Sequence, residues 1–259
     1  MRGIHLPSVH LQQRRLSVAV TDLNLFMSNS TDTLLVSLTI IRYPKKYIFF
    51  ALCAMAIHHL PLLFNKKIRF RKLLGCGKGG GFSKTPDWQQ WAILTVRDEA
   101  ILPGIQQDLL KVLYGKFIAG WYRCFQCETH TFLLAPVSGH GSWDGQQPFG
   151  PIPYTKNYSG RIAVLTRATI RLNSLLRFWA HVKGTADMLH TTNGLIYTVS
   201  IGELPFIKQA TFSIWNSVEE MKTFAYQTQH KEVIKKTQEE KWYSEELFVR
   251  FRIVAEIST

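Results

Sequence analysis

Two stretches of this chain carry the same punctuation in the same order, and that duplication limits the available folds more than any other feature. Ile41-Arg42 and Ile170-Arg171 each end a strand-like run before a helix, and Gly75-x-Gly77 and Gly202 each end the next run. Gln90 and Gln209 each precede the strand after that, and Asp98 and Ser217 each stand eight residues beyond that Gln at a helix start. Each copy reads strand, helix, strand, strand, helix, strand, the ferredoxin-like βαββαβ order. Residues 32–137 form the first repeat, 138–160 a linker loop and 161–259 the second repeat, with 1–31 as an extension outside the fold. Each repeat has an antiparallel sheet with helices on one face. The bare face needs cover, and the other repeat's sheet supplies it, giving an α+β two-sheet barrel or sandwich within one chain.

The clearest unit is the last. Ala210, Phe212 and Ile214 alternate with Thr211, Ser213 and Trp215, which predicts a strand that stops at Asn216-Ser217. Ser217 with Glu220 three residues later is a capping box opening a helix. From Glu245 alternation returns, with Leu247, Val249, Phe251 and Ile253 on one face. The helix carries two apolar stripes on opposite sides, Val218, Met221, Phe224 and Ala225 on one and Tyr226, Val233 and Ile234 on the other. One stripe covers the sheet; the second needs a ligand, another layer or a partner. His230 lies within that second stripe. Two readings stand: a half-buried structural histidine, or an axial ligand whose neutral imidazole binds haem iron. Counting thirteen residues from the cap, the same position in the first repeat is Lys111, whose protonated amine is a poor iron ligand. A cofactor at His230 therefore implies one copy per chain.

Charge is placed unevenly. Residues 1–80 hold 12 Lys and Arg against two acids, so +10 of the formal +13 lies there. These cations surround an apolar run instead of lining a helix face or alternating with aromatics, which argues against nucleic acid and for an anionic membrane surface. The run is Tyr47 to Phe64, bracketed by Lys45-Lys46 and Lys66-Lys67. Its 18 residues only just reach spanning length, and His58, His59 and Pro61 interrupt the end. The expectation is a helix packed on the sheet, with peripheral membrane contact through 45–67. The first 31 residues lack an apolar core followed by a small-residue cleavage site, so no secretory signal is expected. Four cysteines at this length make no disulfide framework and suggest a reducing, cytoplasmic setting. Cys124-x-x-Cys127 with His130 and His140 has zinc-like spacing but lacks a second pair, and ordinary thiols are expected.

Long blocks of the chain, from Leu34 to Ile257, resemble the spheroidene monooxygenase family: QATFSIWNSVEEMKTFAYQTQH, EKWYSEELFVRF, RKLLGCGKG, DWQQWAIL, LAPVSGHGSWDGQQPF and SGRIAVLTRATIR, in order. The resemblance implies a dimeric α+β barrel built from tandem repeats. It also implies a haem-containing oxygenase that introduces a hydroxyl or keto oxygen into an acyclic carotenoid, using O2 and an external electron donor. It favours His230 as the haem axial ligand, because similar haem proteins carry the histidine near the end of the helix after an aromatic-x-Ser strand end, as in Trp215-Asn216-Ser217. Arg167 and Arg171 are then candidate propionate partners, the alternative being surface or structural arginines, and Trp179, Trp215 and Tyr226 candidate walls of the polyene channel, with core packing the alternative for the two tryptophans. A bacterial cytoplasmic protein, peripheral at the membrane, is implied. Two rivals remain: a cofactor-free oxygenase on the same fold, and a non-enzymatic ligand-binding barrel.

Overall fold

A computed structural model describes residues 34–79, 85–98, 108–152, 158–181, 192–226, 235–237 and 239–259. Eight antiparallel strands close into a barrel. The first repeat supplies β1 (Leu35–Arg42), β2 (Ile68–Gly77), β3 (Pro86–Arg97) and β4 (Glu128–Gly141), and the second β5 (Ile162–Ile170), β6 (Leu195–Leu204), β7 (Lys208–Trp215) and β8 (Tyr243–Ser258). The order around the barrel is β1-β3-β2-β6-β7-β5-β8-β4, returning to β1. Each repeat is thus one half of the wall, joined to the other at the β2–β6 and β4–β8 seams. This is the tandem α+β barrel, and closure leaves no unpaired sheet edge.

Alternation decides what fills it. Val36, Leu38 and Ile40 from the first repeat meet Ala163, Leu165, Phe212 and Phe251 from the second in one shared interior. The Phe132 and Phe212 rings sit 5.1 Å apart across it. At the β2–β6 seam Gly75 pairs with Gly202, so two of the duplicated landmarks face each other. A Cβ on Gly202 would stand 2.8 Å from the Lys208 carbonyl, which explains why the seam needs a bare residue there.

Helices cover the outside. In the first repeat α1 (Ile48–Ile57) and α2 (His59–Phe64) follow β1, and α3 (Leu109–Tyr114) and α4 (Lys116–Cys124) follow β3. The 47–64 run is therefore two helices. Pro61 lacks the N–H that would bond the Ile57 carbonyl, and the chain bends at His58. Likewise the apolar pattern from Leu109 breaks at Gly115, whose φ of 90° ends α3. In the second repeat α5 (175–181) follows β5, and α6 (Val218–Tyr226) follows β7. The predicted cap of α6 is present: the Glu220 N–H donates to Ser217 Oγ at 3.1 Å. Gly194, at φ +85°, leaves room for the Glu220 side chain, where a Cβ would lie 2.3 Å from a carboxylate oxygen.

One boundary needs correction. The loop expected from 138 begins later, because Ser138 to Gly141 continue β4 and pair with Arg250 to Leu247 on the long β8. The glycines there do not break the strand; they let it approach β8, and at Gly141 a Cβ would lie 2.1 Å from the Glu246 carbonyl. The expected extension 1–31, the helix start after Asp98 and His230 lie outside the described residues.

Candidate functional site

The two repeats treat the outer faces of their sheets differently. Strand pairing aligns them: Gly75 and Ile41 both pair with Trp91, and Gly202 and Ala168 both pair with Gln209. Two residues along from Ile41 and Ala168, Thr39 corresponds to Thr166. This register moves the sequence landmarks by one or two residues, so that Arg171 lies beyond the position matching Arg42.

In the first repeat the middle of that face is covered, with a cavity of about 370 Å³ to one side lined by Leu109, Tyr122, Cys127, Thr129 and Thr131. Ser37, Thr39, Thr95 and Thr131 form a floor of hydroxyls beneath α3, and Tyr114 is pushed into it. The Tyr114 and Thr39 hydroxyls are 2.7 Å apart, Thr39 and Thr131 2.9 Å, and Ser37 and Thr95 2.7 Å. All are buried, and burial pushes the Tyr114 phenol up to about 12 against the hydrogen bonds from Ser37 and Thr39. Around them one apolar cluster runs from Ile41 and Tyr43 through Leu113 and Ile118 to Leu133.

In the second repeat the described residues cover the same face less completely. Thr166 is exposed, and its strand neighbours Thr211 and Phe248 are half-buried. Phe248 takes the place of Thr131, and the His140 ring stacks on it at 5.7 Å. The apolar packing is split into two clusters, one on each side. Under α6, Ile162 and Val164 pack with Trp215, Met221 and Phe224. Under α5, Ile170 packs with Phe178, Trp179 and Trp242. On β5 these clusters are separated by the stretch from Val164 to Ile170, about 20 Å of extended chain. Among the described residues the result is a gap between two aromatic shoulders, with exposed Thr166 and half-buried Thr211 on its floor.

The residues singled out from sequence fall around this groove unevenly. Trp215 and Trp179 belong to the two shoulders but are packed within them. The Trp215 indole N–H donates to Ser213 Oγ at 2.9 Å and its ring lies against Phe224, and the Trp179 N–H donates to the Phe206 carbonyl at 3.1 Å. Tyr226 ends the described part of α6. Arg171 is exposed at the end of β5, its Nε donating to the Tyr243 carbonyl at 3.1 Å. Lys111, the first-repeat counterpart of His230, pairs with Asp108 at 3.2 Å.

Arg167 requires a correction. It follows Ala163 and Leu165 on the inward face of β5, so it points into the barrel and away from the groove, with a side chain only 1% exposed. There it meets three carboxylates: Glu245 in a close contact, Asp144 at 3.3 Å and Glu203 at 3.4 Å. Trp143, wholly buried, donates to Glu203 at 2.9 Å beneath the guanidinium. Lys72 and Lys208 complete the cluster, Lys72 on Glu203 at 2.6 Å and Lys208 on Asp144 at 2.7 Å. Desolvation opposes ionisation of Asp144, but Lys208 and Lys72 outweigh it and hold the carboxyl down to about 2. Glu245 also falls to about 2: desolvation opposes this too, but the Gly145 N–H, Ser142, Arg167 and the Asp144 N–H prevail. An arginine so neutralised closes a barrel mouth and is not free for a propionate. The sequence marked the charge but not its partners, because Asp144, Glu203 and Glu245 come from three separate elements.

The zinc-like set is dispersed as well. His130 Nε2 lies 2.9 Å from Glu256, His140 stacks on Phe248, and burial pushes the Cys127 thiol up to about 12. For haem, the described residues fit in part. Thr166 is on the side of the sheet that α6 covers, Arg167 is not, Arg171 is exposed just past the end of β5, and His230 lies beyond the described part of α6.

Comparison with known proteins decides the family. Residues 180–249, most of the second repeat, match the model of a domain of unknown function, DUF3291. The spheroidene monooxygenase of Cereibacter sphaeroides is 35% identical over 205 residues, 78% of this chain and 60% of that protein. The spheroidene monooxygenase of Rhodobacter capsulatus is 33% identical over 202 residues, 77% of this chain and 81% of that protein. The chain belongs to the spheroidene monooxygenase family. It spans about 60% of the length of the Cereibacter relative. Among solved structures an aldoxime dehydratase, OxdRE, in complex with butyraldoxime superposes with a TM-score of 0.58 at 8% identity, over 87% of this chain and 81% of that one. At that identity the likeness supports the barrel fold alone.

Proposed function

We propose that this chain is a monooxygenase that places a hydroxyl or keto oxygen on an acyclic carotenoid, at the groove of the second repeat. Family membership carries the reaction class, and the asymmetry between Thr39, sealed under Tyr114, and Thr166, exposed, carries the location. In hydroxylation a substrate C–H bond becomes C–OH with one atom of O2. The other atom leaves as water, using two electrons and two protons from an external donor.

The cofactor we propose is haem, with His230 as its axial ligand; when bound it supplies O2 activation. Arg171, exposed just past the end of β5, is the remaining candidate for a propionate contact, since Arg167 is held by three carboxylates. The chain's own residues would shape the site. Trp179 and Trp215 would form its two shoulders, Tyr226 is the proposed substrate contact from α6, and Thr166 and Thr211 would offer hydroxyls on its floor. A long polyene has no polar handle along its middle, so apolar shape must select the bond that reacts.

An absorption spectrum of the purified protein tests the cofactor. A Soret band that shifts or vanishes in His230→Ala, with Arg167→Lys retaining it, is expected. A protein that oxygenates carotenoid without any Soret band would establish the cofactor-free alternative on the same fold.

A further inference from the structure

The helices α1 and α2 present an apolar surface that nothing among the described residues covers. Their buried side is a regular stripe, Ala51, Ala54, His58 and Leu62, seated on the barrel. The opposite side repeats at the same helical spacing and is as apolar as a core. Phe49 is 69% exposed, Leu60 59%, Leu63 55% and Phe64 76%, with Leu52 between them at 43%. From Phe49 to Phe64 the stripe is about 23 Å long at 1.5 Å per residue. Single exposed leucines are ordinary, but a continuous stripe of this length on a soluble surface marks a contact.

The charge around the stripe says what the contact is. Lys45 and Lys46 precede it, Lys66 and Lys67 follow it, all four are exposed, and residues 45–67 contain no acid. Two pairs of cations at the ends of an apolar stripe match a layer with hydrocarbon below and anionic headgroups beside it. They do not match a second copy of this chain, whose equivalent surface would bring lysine against lysine. The segment is long enough to cross a bilayer, yet its Ala51, Ala54 and Leu62 side is fixed in the same core as Ile93 and Leu133, so it lies along the barrel.

We propose that the α1–α2 face docks the protein flat on an anionic lipid bilayer, burying Phe49, Leu60, Leu63 and Phe64 among the acyl chains with the four lysines at the headgroups. This holds whether or not the carotenoid reading does. If both hold, the surface brings the enzyme to the phase where an apolar polyene dissolves.

The test is co-sedimentation of the full chain with phosphatidylcholine vesicles, with and without phosphatidylglycerol. Binding to the anionic vesicles should be at least about tenfold tighter and should weaken in high salt. The variant Lys45→Gln, Lys46→Gln, Lys66→Gln, Lys67→Gln should lose the anionic preference, at about fivefold per lysine. Phe49→Glu with Leu60→Glu and Phe64→Glu should abolish binding to both vesicles. These side chains are exposed, so an unchanged thermal transition and far-UV spectrum are expected, and the lysine variant tests the same claim without touching the helix stripe. Failure to sediment with either vesicle, an anionic preference that survives the lysine variant, or concentration-dependent dimers that the apolar variant alone dissolves would each overturn the proposal. None of these outcomes bears on oxygen insertion, which is measured separately.

Discussion

At the residue scale, Arg167 shows how much a side chain's meaning depends on which face of a strand it occupies. On the inner face of β5 it holds Glu245, Asp144 and Glu203 together at one mouth of the barrel. Removing it leaves three carboxylates facing each other with two lysines to balance them. Arg167→Ala should therefore destabilise the fold by about 3–5 kcal/mol, read from denaturant unfolding. The same cluster gives a pH dependence of known sign. Asp144 and Glu245 titrate near 2 when folded, below their ordinary values near 4, so their contribution is complete above about pH 5. It is lost as the pH falls toward 2. Thermal unfolding followed from pH 6 to 2 should show a steep fall that is shallower in Glu245→Gln, which has no proton to bind at that position.

At the element scale, the strands and the α6 cap were legible because they depend on local pattern. Alternation in 210–215 and 245–253 places β7 and β8, and Ser217-x-x-Glu220 places the start of α6. What local pattern cannot reveal is whether a given strand face ends up covered. Ser37, Thr39, Thr95 and Thr131 read as ordinary strand formers. Only the packing of Tyr114 from α3 buries them as a hydroxyl floor, while Thr166 on the matching strand is exposed. The extent of β4 was hidden for a similar reason, since glycine-rich 138–141 is held as strand by β8. Two substitutions separate floor from groove. Tyr114→Phe should cost about 1 kcal/mol through lost hydrogen bonds and leave carotenoid turnover intact. Thr166→Phe, at an exposed position, should change stability by less than about 0.5 kcal/mol and reduce turnover at least about tenfold by filling the groove. Steady-state kinetics beside thermal melts distinguish them.

At the scale of the whole molecule, duplication has produced a closed barrel in which the two copies share one interior and diverge outside. The shared interior accounts for the landmarks that the copies retain. Gly75 faces Gly202 at a seam where Gly202→Ala, meeting the Lys208 carbonyl at 2.8 Å, should cost about 1–3 kcal/mol in unfolding experiments. Among the described residues the outer faces have parted: the first buries Thr39 under Tyr114 and carries the lysine-flanked helices, and the second leaves Thr166 exposed. That division is the central claim: oxygen enters the substrate at the second repeat's groove. It is tested most directly by incubating the protein with an acyclic carotenoid, a reductant and ¹⁸O2, and reading the product by mass spectrometry, for the wild type and Thr166→Phe in parallel. The account predicts labelled product from the wild type and little or none from a Thr166→Phe protein that is as stable. Labelled product formed equally by both would contradict it.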